Sequence, residues 1–124
     1  MQRFVIFFCV LVLTALAFSI AACGGASSGQ SEAVEKGRTK FVGTCASCHG
    51  QDAKGMPKQG KDLTNNAFVK SRNDDDLLYF LKVGRPANDP ENTRGVEMPP
   101  RGGNPALSDE QVQATVQWMV DNLK

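Results

Sequence analysis

The sequence predicts an all-α body: three helices joined by long loops. Three observations lead there. Apolar residues recur at helical spacing in separate segments after residue 32. No stretch alternates with period two over a useful length. Cap and stop residues bracket the segments. The chain has 124 residues, 41% hydrophobic and 22% charged, which suits one globular domain. Fourteen basic and thirteen acidic residues leave a net charge of +1, so there is no basic excess for nucleic acid.

The order begins with a leader. Residues 4–22 are almost wholly apolar behind Arg3, as in an export signal. The run ends Ile20-Ala21-Ala22-Cys23, which resembles the lipobox of bacterial lipoproteins and implies a lipidated Cys23. The alternative is an uncleaved helical anchor, for which nineteen residues are just long enough. Both readings export the body and hold it at a membrane, facing the periplasm or cell exterior. Residues 23–31 follow as the lipidated Cys and a flexible Gly/Ser tether. The expected division is signal peptide 1–22, tether 23–31 and body 32–124.

In the body, the first helix is expected from near Glu32 to near Cys45. Val34, Gly37, Phe41 and Val42 share one face, and Glu32 and Glu35 sit where the dipole favours acids. Gly37 weakens a helix, which makes sense if another helix approaches closely. The middle helix is expected over Asp74–Val83, capped by Asn73 or Asp74, with Leu77, Leu78, Phe80 and Leu81 inward. Gly84 and Pro86 stop it. Ser108 and Gln111 form a capping-box pattern for the last helix, whose stripe is Val112, Val116, Met119, Val120 and Leu123, with Trp118 beside it. The connecting loops, 50–72 and 84–107, are too long for simple links. Three short helices also make a thin core, so something else must fill the middle.

Cys45-Ala46-Ser47-Cys48-His49 supplies the candidate filler: C-x-x-C-H is the spacing of covalent haem attachment. Two thiols one helical turn apart reach the two porphyrin vinyl groups, and the next residue places an imidazole beneath the iron. Thioredoxin-like chemistry would require a βαβ context. A structural zinc site would require four ligands. A plain disulfide leaves the adjacent histidine unexplained.

From these residues the chain resembles the class I c-type cytochromes, and more narrowly the single-haem domains related to cytochrome subunits of cbb3-type oxidases. The matching residues are Gly37 and Phe41, Cys45 to Gly50, Leu63, Leu77, Gly84, Met98-Pro99-Pro100 and Trp118. The resemblance implies a cytochrome c fold around one haem c bound to Cys45 and Cys48. It also implies a crossing of the first and last helices, Gly37 and Phe41 against Trp118. The family commonly has a proline whose carbonyl accepts from the proximal imidazole. Lys61 stands at that place here; its carbonyl and Pro57 are both candidates.

His49 is the sole histidine, so the second axial ligand must be another residue. Among Met56, Met98 and Met119, Met119 lies on the apolar stripe of the last helix, and Met56 is too near His49 in sequence to reach the opposite face. Met98 precedes two stiffening prolines in a long loop, where the family places its axial methionine. His49 and Met98 together saturate the iron. The expected function is one-electron transfer between exported respiratory or photosynthetic redox proteins, by a monomeric carrier rather than an enzyme. A haem enzyme, a gas sensor and a fixed subunit of a larger oxidase or reductase are the alternatives. Lys54, Lys58 and Lys61 form either a docking patch or a solvated loop. Arg85, Arg94 and Arg101 are candidate partners for haem propionates.

Overall fold

The computed structural model describes residues 27–124; the leader and Cys23 lie outside them. The compact body is Glu32–Lys124. Among the described residues the elements are helices, with one isolated bridge between Arg85 and Met98 and no strand.

Helix α1 runs Ser27–Lys40, a π turn covers Phe41–Cys45, and α2 is the short Ala46–His49 segment. The single helix expected to Cys45 is therefore broken into α and π winding. Its start lies inside the stretch read as tether. No proline interrupts that stretch, and a nucleated helix propagates at little cost per residue. The π turn alters the 3.6-residue register. Phe41 is fully buried, while Val42, expected inward, is 37% exposed.

Helix α3, Ala67–Ser71, lies within the first long loop. Asn66 caps it by accepting from the Phe68 and Val69 N–H groups. Helix α4 is Asp74–Val83, as the sequence predicts, with Asn73 accepting from Asp76 N–H. A 3-10 turn covers Pro100–Gly103 in the second loop. Helix α5 is Asp109–Leu123, opened by the Ser108/Gln111 capping box. Its buried face is Val112, Thr115, Val116, Met119 and Leu123. Thr115 fits that face because its hydroxyl donates to the Gln111 carbonyl at 2.9 Å.

The crossing of α1 and α5 explains Gly37. A Cβ there would lie 2.0 Å from the Ala114 carbonyl oxygen and 2.9 Å from Trp118 Cβ. One turn later Phe41 packs on Trp118, with ring centroids 4.6 Å apart and planes tilted by 38°. Burying a side chain such as Phe41 stabilises by about 1.5–3 kcal/mol. Leu77 and Leu81 of α4 join the same core as Val112, Val116 and Met119. Lys124 pairs with Asp74 at 3.0 Å, joining the end of α5 to the start of α4.

Candidate functional site

The π turn and α2 present Cys45, Cys48 and His49 to one cleft. Both thiols are free. Cys45 is the more enclosed; burial, then the neighbouring Cys48, pushes its thiol up to about 11. The chain after His49 folds back on it. Gly55 N–H donates to His49 O at 2.7 Å, and Met56 and Gly60 N–H donate to Cys48 O, both at 3.1 Å. That return brings Lys61 O to 2.9 Å from His49 Nδ1. A carbonyl only accepts, so Nδ1 carries the proton and Nε2 keeps its lone pair for a metal. Lys61, not Pro57, is thus the acceptor. A backbone atom makes the bond, so the departure from proline leaves it intact.

Another wall of the cleft is the second long loop. Arg85 and Met98 exchange backbone bonds in both directions, 2.7 Å from Arg85 N–H and 2.8 Å from Met98 N–H. Gly84 permits this approach: it has φ +72°, and a Cβ there would sit 2.2 Å from the Met98 carbonyl oxygen. Met98, Pro99 and Gly102 line the cleft with the cysteines and His49. Met119 lines it too, but is buried in the apolar face of α5. Met56 is 41% exposed and lies outside the cleft lining.

Phe41, Leu63, Phe68, Val69, Leu77, Phe80 and Leu81 line the cleft as well. The empty space, counted to the open mouth, is about 1110 Å³. The cleft therefore fits a large, flat apolar group: two free thiols, an imidazole with one nitrogen available and a thioether converge on a greasy slot. Among the described residues no group of three His, Cys, Asp or Glu side chains is arranged to hold a metal ion.

The arginines divide. Arg85 and Arg94 line the cleft; Arg101 turns away to Leu107 O and Asp109. The Arg85 guanidinium stacks over Phe68 at 4.7 Å and Phe80 at 5.0 Å, and pairs with Glu91 at 2.9 Å. Its aromatic seat was missed from sequence, because Phe68 lies in a loop helix that was not expected. Of the lysines, Lys61 lines the cleft, while Lys54 and Lys58 are exposed beyond it. Among the described residues, no helix is long and apolar enough to cross a membrane.

Comparison with known proteins accords with this geometry. Residues 34–122 match the family model for cytochrome c. The chain is similar to cytochrome c-555 of Prosthecochloris aestuarii, 35% identical over 70% of this chain and 85% of that protein. Similarity to cytochrome c-555 of Chlorobaculum thiosulfatiphilum is 33% over 71% of this chain and 94% of that protein. It is also 29% identical to the cbb3-type oxidase subunit CcoP of Rhodobacter capsulatus, over 67% of this chain. The chain spans only 27% of CcoP and 16% of the FixPc subunit of Rhizobium leguminosarum bv. viciae. No solved structure matches. The match over most of the body, the all-helical fold and the Cys45–Cys48 spacing agree: the chain belongs to the class I c-type cytochromes, whose haem c is covalently bound.

Proposed function

We propose that the protein is an exported one-electron carrier, tethered to a membrane through a lipid on Cys23. Cys45 and Cys48 hold haem c as thioethers, and His49 Nε2 and Met98 Sδ are the axial ligands. One observation carries the reading: His49 and Met98 reach a single cleft from separate elements, each with its backbone surroundings hydrogen-bonded in place. When bound, haem c supplies an iron that gains or loses one electron.

The chain's part is to hold that iron unchanged in both states. Lys61 O fixes the His49 ring and its tautomer. The Arg85–Met98 bridge and the two following prolines limit the travel of the Met98 loop. The apolar side chains that line the cleft exclude water. Occupation of both axial positions leaves no site for oxygen or substrate, which favours a carrier over an enzyme or sensor. Its partners are redox proteins of the same exported layer, met by a monomeric domain; the near-neutral charge gives no nucleic-acid surface.

The oxidase-subunit reading draws on CcoP and FixPc. The two c-555 relatives are matched over most of their length, which favours a single-domain carrier. A spectrum of the holoprotein tests the ligand set. Ferric wild type is expected to show the weak red band of sulfur-bound iron, and Met98→Ala to lack it and bind carbon monoxide rapidly when reduced. An unchanged Met98→Ala spectrum refutes the ligand. Fatty-acid labelling lost in Cys23→Ser tests the anchor, and purification at fixed stoichiometry with an oxidase would favour the subunit reading.

A further inference from the structure

The Asp109 carboxylate, at the start of α5, takes two cations from elsewhere in the chain. Lys82 Nζ and an Arg101 guanidinium nitrogen each lie 2.5 Å from one of its oxygens. The positions of those cations matter. Lys82 is in the last turn of α4, three residues before Arg85. Arg101 is three residues after Met98. Arg85 and Met98 are the two members of the bridge that shapes the cleft's second wall. One carboxylate therefore binds both arms of the bridge from the same end.

The Arg101 backbone shows why an outside restraint is needed. Its φ is +53°, a left-handed conformation for a residue with a Cβ, and Gly102 follows at +66°. Such a conformation persists where surrounding contacts over-determine it. Here those contacts are Gly102 N–H to Pro99 O at 3.0 Å and the Arg101 guanidinium to Leu107 O at 2.7 Å, together with Asp109. The Arg101 side chain is 24% exposed and Asp109 is 52% exposed, so water and salt screen the pair in part.

We propose that Asp109 is a positioning residue for Met98: through Arg101 and Lys82 it holds the loop closed over the cleft and so sets how readily the methionine sulfur yields its place to another ligand. This rests on the reading of Met98 as axial ligand. The probe is imidazole, which binds ferric haem only where the sixth position opens. The proteins are the wild-type, M98A, D109N, D109E and E110Q holoproteins. Glu110 is an acid at the same helix end that binds neither Arg101 nor Lys82, so E110Q controls for the helix dipole.

D109N is expected to raise imidazole affinity roughly three- to tenfold, the scale of one or two half-exposed ion pairs. High salt should loosen the wild type similarly and add little to D109N. D109E should restore most of the wild-type value, and E110Q should match it. D109N with wild-type affinity, or E110Q with an equal effect, overturns the assignment. If D109N does not accumulate as folded holoprotein, R101Q and K82M are read against the same two outcomes. Wild type that binds imidazole as readily as M98A overturns both the ligand reading and this one. D109N equal to wild type beside a looser M98A removes only the role of Asp109.

Discussion

Alanine at Gly37 sets two effects against each other, and the structure decides the sign. In an isolated helix the change stabilises by about 0.8–1 kcal/mol. Here the added Cβ would meet the Ala114 carbonyl oxygen at 2.0 Å and its carbon at 2.6 Å. Both are backbone atoms, so no flexible side chain can swing aside, and α1 must back away from α5. Overpacking of this kind costs about 1–3 kcal/mol. Separation also loosens the Phe41–Trp118 pair, worth about 0.5–1.5 kcal/mol beyond its buried area. The net expectation is destabilisation by about 1–3 kcal/mol, a fall of roughly 5–20 °C in Tm for a domain of this size. The assay is thermal and urea unfolding of wild-type and Gly37→Ala holoprotein, followed by far-UV circular dichroism. Covalent haem remains with the chain in both end states, so the reference does not change. A Gly37→Ala protein as stable as wild type, or more so, refutes the close crossing.

Gly60 offers a second steric test. A Cβ there would lie 2.4 Å from Cys48 O and 2.8 Å from His49 Nδ1, so Gly60→Ala should push the Lys61 carbonyl off the imidazole. An imidazole that donates to a carbonyl is the stronger ligand for ferric iron, so losing the bond should raise the midpoint potential in a spectroelectrochemical titration. The pH dependence follows from Asp109 and Asp62. Side-chain hydrogen bonds from Lys82 and Arg101 hold Asp109, and those from Thr64 hold Asp62, below the ordinary value of 3.8. A depressed folded pKa means that the stabilisation is complete above about 3.8 and is lost as pH falls through the lower folded value. Acid unfolding should therefore steepen below pH 4, and Asp109→Asn should flatten that limb in pH-dependent urea melts. Phe41→Ala removes a fully buried ring and should cost about 3–5 kcal/mol in the same melts.

What the sequence made legible were the features that local chemistry decides. Asn73 and Ser108 mark the starts of α4 and α5 because each side chain satisfies helix N–H groups a few residues away. Cys45, Cys48 and His49 are placed by one short run. Gly37 was readable as a crossing point because a helix has little other reason to tolerate it. The π turn was not legible, since Phe41–Cys45 carries no residue that demands it. Helix α3 had a signal in Asn66, overlooked because five helical residues have almost no periodicity. The Arg85–Met98 bridge and the Asp109 hub depend on two long loops meeting, and no local propensity encodes that. The Asp74–Asp76 run illustrates the division: its place at a helix start was readable, whereas the Asp74 pairing with Lys124 required the tertiary fold.

Arg85 gives the cleft an electrical boundary that is lopsided by construction. Its side chain is 14% exposed and lies over two rings that touch each other, whereas its counter-charges, Asp89 and Glu91, are 33% and 65% exposed. The positive field therefore acts through a medium of low polarisability, and the compensating negative field is diluted by water and mobile ions. Added electrolyte quenches the carboxylates more than the guanidinium, so the interior potential becomes more positive as ionic strength rises. Where the cleft holds an iron, that field would favour its electron-rich state, and concentrated salt would deepen the bias.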